Sequence, residues 1–357
     1  MKVLFVSNDP KLFEEGSAVR VRVRTYATAL GELHIVSAAP LGAQEVHEGP
    51  LHLYPVRGWG LLRLKRLVWR VHQIIRQEGI EVISAQDPFE YGLVAWKATL
   101  FTSARLHIQL HTDPFAPGFA HVGRTTSYIN YARRFVMPFV LRRATRIRVV
   151  SPGLKKHIVA RYGISSERVS ILPIYADLAR VRTVVRTPEK GQLLWVGRFE
   201  REKDPMLALE ALAAARAAGI DARLTMLGAG RLDATLKARA KQLGVDAPVK
   251  FPGFADPFHY LARAELLLAT SQYEGYGLAI VEVLAAGVPA LSTDVGVARE
   301  AGAVITDRAT YASTLITLLR QGPPAPPPVP DPYPSFDDYV ACYVADLRAC
   351  IEVTRPA

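Results

Sequence analysis

The chain has 357 residues, half of them hydrophobic, with 44 Lys and Arg against 33 Asp and Glu and a formal net charge of +11. That length predicts two domains of about 150 to 200 residues, and no window approaches the roughly 18 apolar residues of a membrane span. The charge is lopsided: residues 1–177 hold 24 basic and 13 acidic side chains and the remainder 20 of each, which argues that the halves meet different partners.

In chain order, the apolar run at the N-terminus is too short for a secretory leader and ends in Asn8-Asp9, so residues 3–7 read as the first strand. A loop reaching Gly16 leads to a helix over 19–30 and a strand over 34–38. Strands follow at 51–56, 82–85, 106–110 and 146–151, with a helix at 61–76, another from Pro152, and a last strand at 169–172. Short apolar strands alternating with helical stretches predict a doubly wound, mostly parallel α/β sheet. Residues 173–191 show no strong period and read as a linker.

A second alternation starts at residues 193–197, with strands at 224–227, 249–251, 266–270 and 290–293 and helices at 205–218, 232–243 and 278–286. After Arg320 the run QGPPAPPPVPDPYP is expected to be extended. Beyond it Phe336, Val340, Tyr343, Val344, Leu347 and Ile351 recur at helical spacing and predict a helix packing away from its own sheet. Cys342 and Cys350, eight apart on that helix, can neither bridge nor form a metal site, which suits a reducing cytoplasm. The expected division is 1–173, 174–334 and a returning helix over 335–357.

Two stretches carry chemistry. In WVGRFEREKDP, Arg198 and Lys203 follow a strand's C-terminal end, where open α/β sheets bind ligands; two cations there suit a diphosphate, although taken alone they read rather as surface charges. In SQYEGYGLAIVEVLAAGVPALSTD, a glycine loop joins strand to helix and points free amides of Tyr276, Gly277 and Leu278 beyond the sheet. Glu274 lies in that loop. Glu282 sits inside the apolar helix, where a carboxylate is expected to be buried and is costly without a partner. His111 ends an apolar strand and, taken alone, reads as structural. Gly228, in LGAGR, reads as a tight turn with a minor role in closing a nucleotide pocket.

VGRFEREKD and EGYGLAIVEVLAAGVPALSTDVG resemble the Arg-x4-Lys and Glu-x7-Glu signatures of retaining family 4 glycosyltransferases, and the resemblance runs from the Gly16 loop through VVSPGLKKHIVARYG to Arg299-Glu300. It implies the GT-B fold: two Rossmann-like domains facing a cleft, with a C-terminal helix crossing back to the N-terminal domain. It further implies that Arg198 and Lys203 hold the donor diphosphate, Glu282 binds ribose hydroxyls, Glu274 contacts the sugar, His111 lies near the reacting carbon, and Gly16 approaches the diphosphate. The implied substrate is a UDP- or GDP-sugar, with no cofactor and no metal: the chain has no Asp-x-Asp pair, and the two cations can supply the metal's charge. The complete pair of signatures argues against the alternatives of a nucleotide-sugar epimerase, a sugar phosphorylase or a catalytically dead basic scaffold.

No nucleic-acid motif accompanies the basic charge. Residues 49–77 lack an acid and combine Arg63, Lys65, Arg66 and Arg70 with Trp59, Leu61, Leu62 and Trp69; a second acid-free span covers 114–166. Such a face is either a solvated surface over the domain core or a surface for anionic lipid. The second reading places the protein in the cytoplasm, peripheral on the inner face of the membrane. The acceptor would then be a lipid-linked saccharide, a glycolipid or a growing envelope polysaccharide.

Overall fold

The structure, a computed structural model, describes residues 1–120 and 124–352, without the side chains of 124–127. Its elements run β1 (Lys2–Ser7), α1 (Ala18–Leu30), β2 (Glu32–Ala38), β3 (Val46–Glu48), β4 (Leu51–Val56), α2 (Gly60–Glu78), β5 (Val82–Ala85), α3 (Glu90–Thr99) and β6 (Arg105–Leu110). Next come α4 (Pro117–Ala120), α5 (Arg124–Arg143), β7 (Arg146–Val149), α6 (Pro152–Tyr162), β8 (Val169–Ile171) and α7 (Leu178–Arg182). The second alternation follows as β9 (Gln192–Val196), α8 (Pro205–Ala217), β10 (Arg223–Leu227), α9 (Asp233–Gln242), β11 (Val249–Gly253), α10 (Phe258–Arg263) and β12 (Leu266–Ala269). It closes with α11 (Leu278–Ala285), β13 (Ala290–Ser292), β14 (Val304–Ile305), α12 (Tyr311–Gln321) and α13 (Phe336–Glu352).

Two compact units result: residues 1–111, 129–173 and 335–357 form the first, and 112–128 with 174–334 the second. Residues 112–128 depart from the expected 1–173 division for a packing reason. Gly118 lies so close to Gln272 that a Cβ would meet its backbone oxygen at 3.0 Å, and Phe119 meets the Tyr273 ring edge-on at 5.7 Å.

The first unit's sheet has the order β3-β4-β2-β1-β5-β6-β7-β8, parallel except for the edge strand β3. Its central strands are buried on both faces, as the apolar runs Val3 to Val6 and Val82 to Ala85 require. Local signals set the helix ends: Ser17 caps α1, accepting from the Arg20 amide at 3.2 Å, and Ser151 with Pro152 opens α6 before Gly163 closes it in the left-handed region.

Helix α13 joins this unit through polar as well as apolar contacts. Val340, Tyr343, Val344 and Leu347 are buried as the spacing predicts, Ile351 is 40% exposed, and Tyr339, Asp346 and Cys350 are buried too. Asp346 accepts from Arg146 at 3.0 Å and pairs with His107 at 3.1 Å, and Tyr339 accepts from Arg148 at 2.9 Å. Arg148 also lies over the Tyr343 ring at 4.7 Å. A helix returning across the sheet thus satisfies the buried His107 and Arg148 and the half-buried Arg146 of β6 and β7.

The second sheet is wholly parallel, in the order β11-β10-β9-β12-β13-β14. Trp195, Phe199, Leu212, Met226 and Tyr311 centre its core. Strand order reverses between β9 and β12, so the loops after these neighbouring strands open at a switch point, the usual ligand position in open α/β sheets. The expected linker contains α7, whose Leu178 is buried, capped by Asp177 accepting from the Arg180 amide at 3.0 Å.

Candidate functional site

Both signature stretches leave the second sheet at that switch point: Gly197 to Lys203 follows β9, and Ser271 to Gly277 follows β12. A small polar hub fixes their mutual position. Trp195 Nε1 donates to Thr270 Oγ1 at 2.9 Å, Thr270 donates to the Lys203 carbonyl at 2.9 Å, and the Gln272 amide donates to the Glu202 carbonyl at 2.7 Å. The hub sits in buried surroundings, where a satisfied hydrogen-bond network holds geometry firmly.

Lys203 Nζ pairs with Glu274 Oε1, and that oxygen also accepts from Ser271 Oγ at 2.7 Å. Both members of the pair are largely covered. Arg198 points outward, 65% exposed, and meets Glu202, four residues on, at 2.8 Å. The loop bearing it is braced by the LGAGR turn. Gly228, at φ +139°, leaves no room for a Cβ, which would meet the Gly197 carbonyl oxygen at 1.8 Å, and a Cβ at Gly230 would meet the Phe199 carbonyl oxygen at 2.5 Å. Gly228 therefore supports the Arg198 loop from behind, a packing role that a tight turn alone does not reveal.

Gly277 adopts φ +92° and opens α11; the Tyr276 carbonyl accepts from the Val297 amide at 2.9 Å, and Gly296 packs directly on that carbonyl. Among the described residues the amides of Tyr276, Gly277 and Leu278 donate to no protein acceptor, as the first amides of a helix have no partner within it.

Glu282 departs from expectation. It is half-buried rather than buried, because it lines a cavity of about 270 Å³ shared with Val196, Arg180, Asp256, Phe258 and Ala279. Its carboxylate makes no hydrogen bond among the described residues, and burial raises its pKa. Sequence reasoning missed the cavity's opposite wall, Asp177, Arg180, Asp256 and Phe258. Arg180 pairs with Asp256 and lies 5.5 Å from the Phe258 ring centre. The one available signal was the pair of Asp-led turns, ADLA and ADPF, nearly eighty positions apart.

Gly16 and His111 belong to the first unit. Gly16 has φ +74° just before the Ser17 cap, with open space where a Cβ would lie. His111 Nε2 lies 3.0 Å from Gln109 Oε1, an oxygen that also accepts from Arg148 at 3.0 Å. Gln109 Nε2 donates to Ser84 and to Tyr343, so its amide orientation is fixed and His111 must donate from Nε2. Burial, then the nearby Arg148 charge, push the His111 pKa down to about 3, so its ring is neutral with Nδ1 free to accept.

Two Rossmann-like units, a cationic pair at a switch point and a carboxylate-lined cavity beside a helix start define the GT-B class of sugar-transferring folds. The comparisons are specific. The Glycosyltransferase Family 4 profile matches residues 12–180 and the Glycosyl transferases group 1 profile residues 182–305. The chain belongs to family 4 of the GT-B glycosyltransferases.

It is 41% identical over 117 residues to the GDP-mannose-dependent alpha-(1-6)-phosphatidylinositol dimannoside mannosyltransferase of Mycobacterium tuberculosis, a match covering 32% of this chain and 30% of that one. It is 27% identical over 240 residues to N-acetylgalactosamine-N,N'-diacetylbacillosaminyl-diphospho-undecaprenol 4-alpha-N-acetylgalactosaminyltransferase of Campylobacter jejuni, covering 65% of this chain and 63% of that one. The matches thus span under two thirds of these relatives' length. The apo lipopolysaccharide outer core galactosyltransferase WaaB superposes with a TM-score of 0.64 over 99% of this chain and 95% of that one at 16% identity, which speaks for the fold.

Proposed function

We propose that this protein transfers a sugar from a nucleoside-diphosphate sugar, UDP- or GDP-linked, to an acceptor hydroxyl with retention of anomeric configuration and without a metal. The observation that carries the reading is the convergence at one switch point of Arg198, Lys203, the free amides of 276–278 and the half-buried Glu282. In the reaction the bond from the anomeric carbon to the β-phosphate oxygen breaks and the acceptor oxygen takes its place. The acceptor's proton leaves with the departing diphosphate. Arg198 and Lys203 stabilise the charge that develops on that leaving group. A phosphate arriving at Lys203 displaces Glu274 from the ammonium, freeing the carboxylate for the sugar's hydroxyls. Glu282 accepts from the ribose hydroxyls, and the α11 amides face the diphosphate or sugar. For Gly16 and His111 the family resemblance alone carries the proposed roles at the diphosphate and near the anomeric carbon.

The acceptor is proposed to be lipid-borne. No helix among the described residues is long and apolar enough to cross a membrane. Helix α2 nevertheless starts with Trp59, Leu61 and Leu62 at 89%, 77% and 54% exposure beside exposed Lys65 and Arg66, apolar surface wasted in water and suited to an anionic lipid interface. Two of the matched relatives carry phosphatidylinositol or diphospho-undecaprenol in their names, which supports the same direction.

The test is a panel of UDP-, GDP- and ADP-sugars in chelator-treated buffer, read by thermal shift and then by sugar release and transfer. One nucleotide series raises Tm and supports turnover. Turnover that vanishes in chelator and returns with manganese refutes the metal-free chemistry; no stabilisation by any donor refutes the donor site.

A further inference from the structure

Three histidines stand in one row across the edge of the first sheet. His34 on β2 is the register partner of His52 on β4, and His52 is the register partner of His47 on β3. Side chains opposite one another on adjacent strands share a face, as do residues two apart on one strand, so Glu32 joins His34 on that face. The His34 and His52 rings stack at 4.7 Å between centres.

The geometry points to a site for a borderline divalent transition ion, zinc foremost, held by Glu32, His34 and His52. The candidate donor atoms of the three residues all lie within 4.8 Å of one another. His34 Nε2 is 2.9 Å from Glu32 Oε1, and His52 Nε2 is 3.9 Å from the same oxygen. Tetrahedral zinc with bonds of about 2.0 to 2.1 Å spaces its ligand atoms about 3.3 Å apart, a value these two distances bracket. Imidazole and carboxylate donors suit zinc, nickel and copper above magnesium or calcium.

The outer partners are also in place. His34 Nδ1 lies 3.1 Å from the Tyr54 hydroxyl, and His52 Nδ1 lies 2.9 Å from His47 Nδ1, so each ligand ring is held through its far nitrogen. Without metal, His34 donates its Nε2 proton to Glu32; on binding, that proton moves to Nδ1, where the Tyr54 oxygen accepts it. Lys2 occupies only the other carboxylate oxygen, Oε2, at 2.9 Å, leaving Oε1 for the ion. The ion clasps β2 to β4 beside the short antiparallel strand at the sheet's edge, and its role is structural.

The test uses the full chain, tag-free and stripped by chelator. Zinc titrated by calorimetry is expected to bind one per chain with Kd below about 1 µM and to raise Tm, while magnesium does neither. Cobalt(II) gives the intense visible bands of a four-coordinate site. Glu32→Gln and His52→Asn, both at partly exposed positions, each weaken zinc at least about tenfold, no less than the loss when a ligand's outer partner goes, whereas His72→Gln does not. Absence of zinc binding and of the cobalt bands in the parent chain overturns the proposal, as does undiminished binding in both ligand variants. The site is independent of the transfer reaction, so a chelator lowers Tm while turnover at 25 °C persists.

Discussion

Lys203 and Glu274 are brought together across 71 residues of sequence, while Arg198 pairs, among the described residues, with Glu202 four positions on. The two cations therefore report different things when removed. Arg198→Ala gives up one exposed ion pair, a change of a few tenths of a kcal/mol at most, so Tm should hold while kcat falls by ~10² to 10³, the loss typical of a missing charge partner for a leaving group. Lys203→Ala should lower kcat as far and Tm as well, because it strands a covered carboxylate. Near-normal kcat/KM in either variant would show that the site is misplaced. Glu282 adds a pH dependence. Its folded pKa lies above that of an ordinary glutamate, so the accepting carboxylate is lost at a higher pH on acidification than for a free glutamate. Affinity for the nucleoside diphosphate should weaken as pH falls through that raised value. Glu282→Gln should bind weakly at every pH, with a flat profile; a wild-type profile in the variant would remove Glu282 from the site.

At the scale of elements, α13 depends on Asp346, whose carboxyl is held well below the usual range by His107 and Arg146 against the opposing effect of burial. The sign is that of a depressed acid: its stabilisation is fully present above the unfolded value near 4 and is lost as pH drops from there towards the folded value. Asp346→Ala should cost about 3 to 5 kcal/mol, the usual loss when one partner of a buried pair goes, and should flatten the acid limb of a denaturation-against-pH curve. An unchanged limb would show that the pair contributes nothing. The α13 segment also shows what the sequence made legible. Apolar recurrence over seventeen residues revealed the helix and the face built on Val340, Tyr343 and Leu347. Asp346 on the same face gave no such signal, because its partners lie some 200 and 239 positions away. The five-residue α7 and two-residue β14 were missed for another reason: neither is long enough to repeat its period, so no pattern shows in the sequence. The signature loops were readable because their chemistry is contiguous, whereas the half-exposure of Glu282 depends on a cavity whose far wall comes from two distant turns.

At the scale of the whole molecule, the excess positive charge belongs to the first half of the chain. The structure narrows the residues that can meet a lipid surface. Arg70 is engaged with Glu45 and over the Tyr54 ring and Arg63 is half-buried, which leaves Lys65, Arg66 and the exposed apolar start of α2. Replacing Trp59, Leu62, Lys65 and Arg66 together with Gln should abolish salt-sensitive sedimentation with anionic vesicles while nucleotide binding is retained, each basic residue near such a surface contributing about 1 kcal/mol. Indifference of the parent protein to those vesicles at low salt would favour a soluble acceptor. The chain's path through its two units has a consequence for its making. Arg148, Gln109 and His107 receive Tyr339, Tyr343 and Asp346 from a helix that the ribosome delivers only after the whole second unit has emerged. During translation the second unit can close on its own residues, while the first waits, its buried cations and amides open to water and to chaperones. The nascent chain can thus complete its later half before its earlier one.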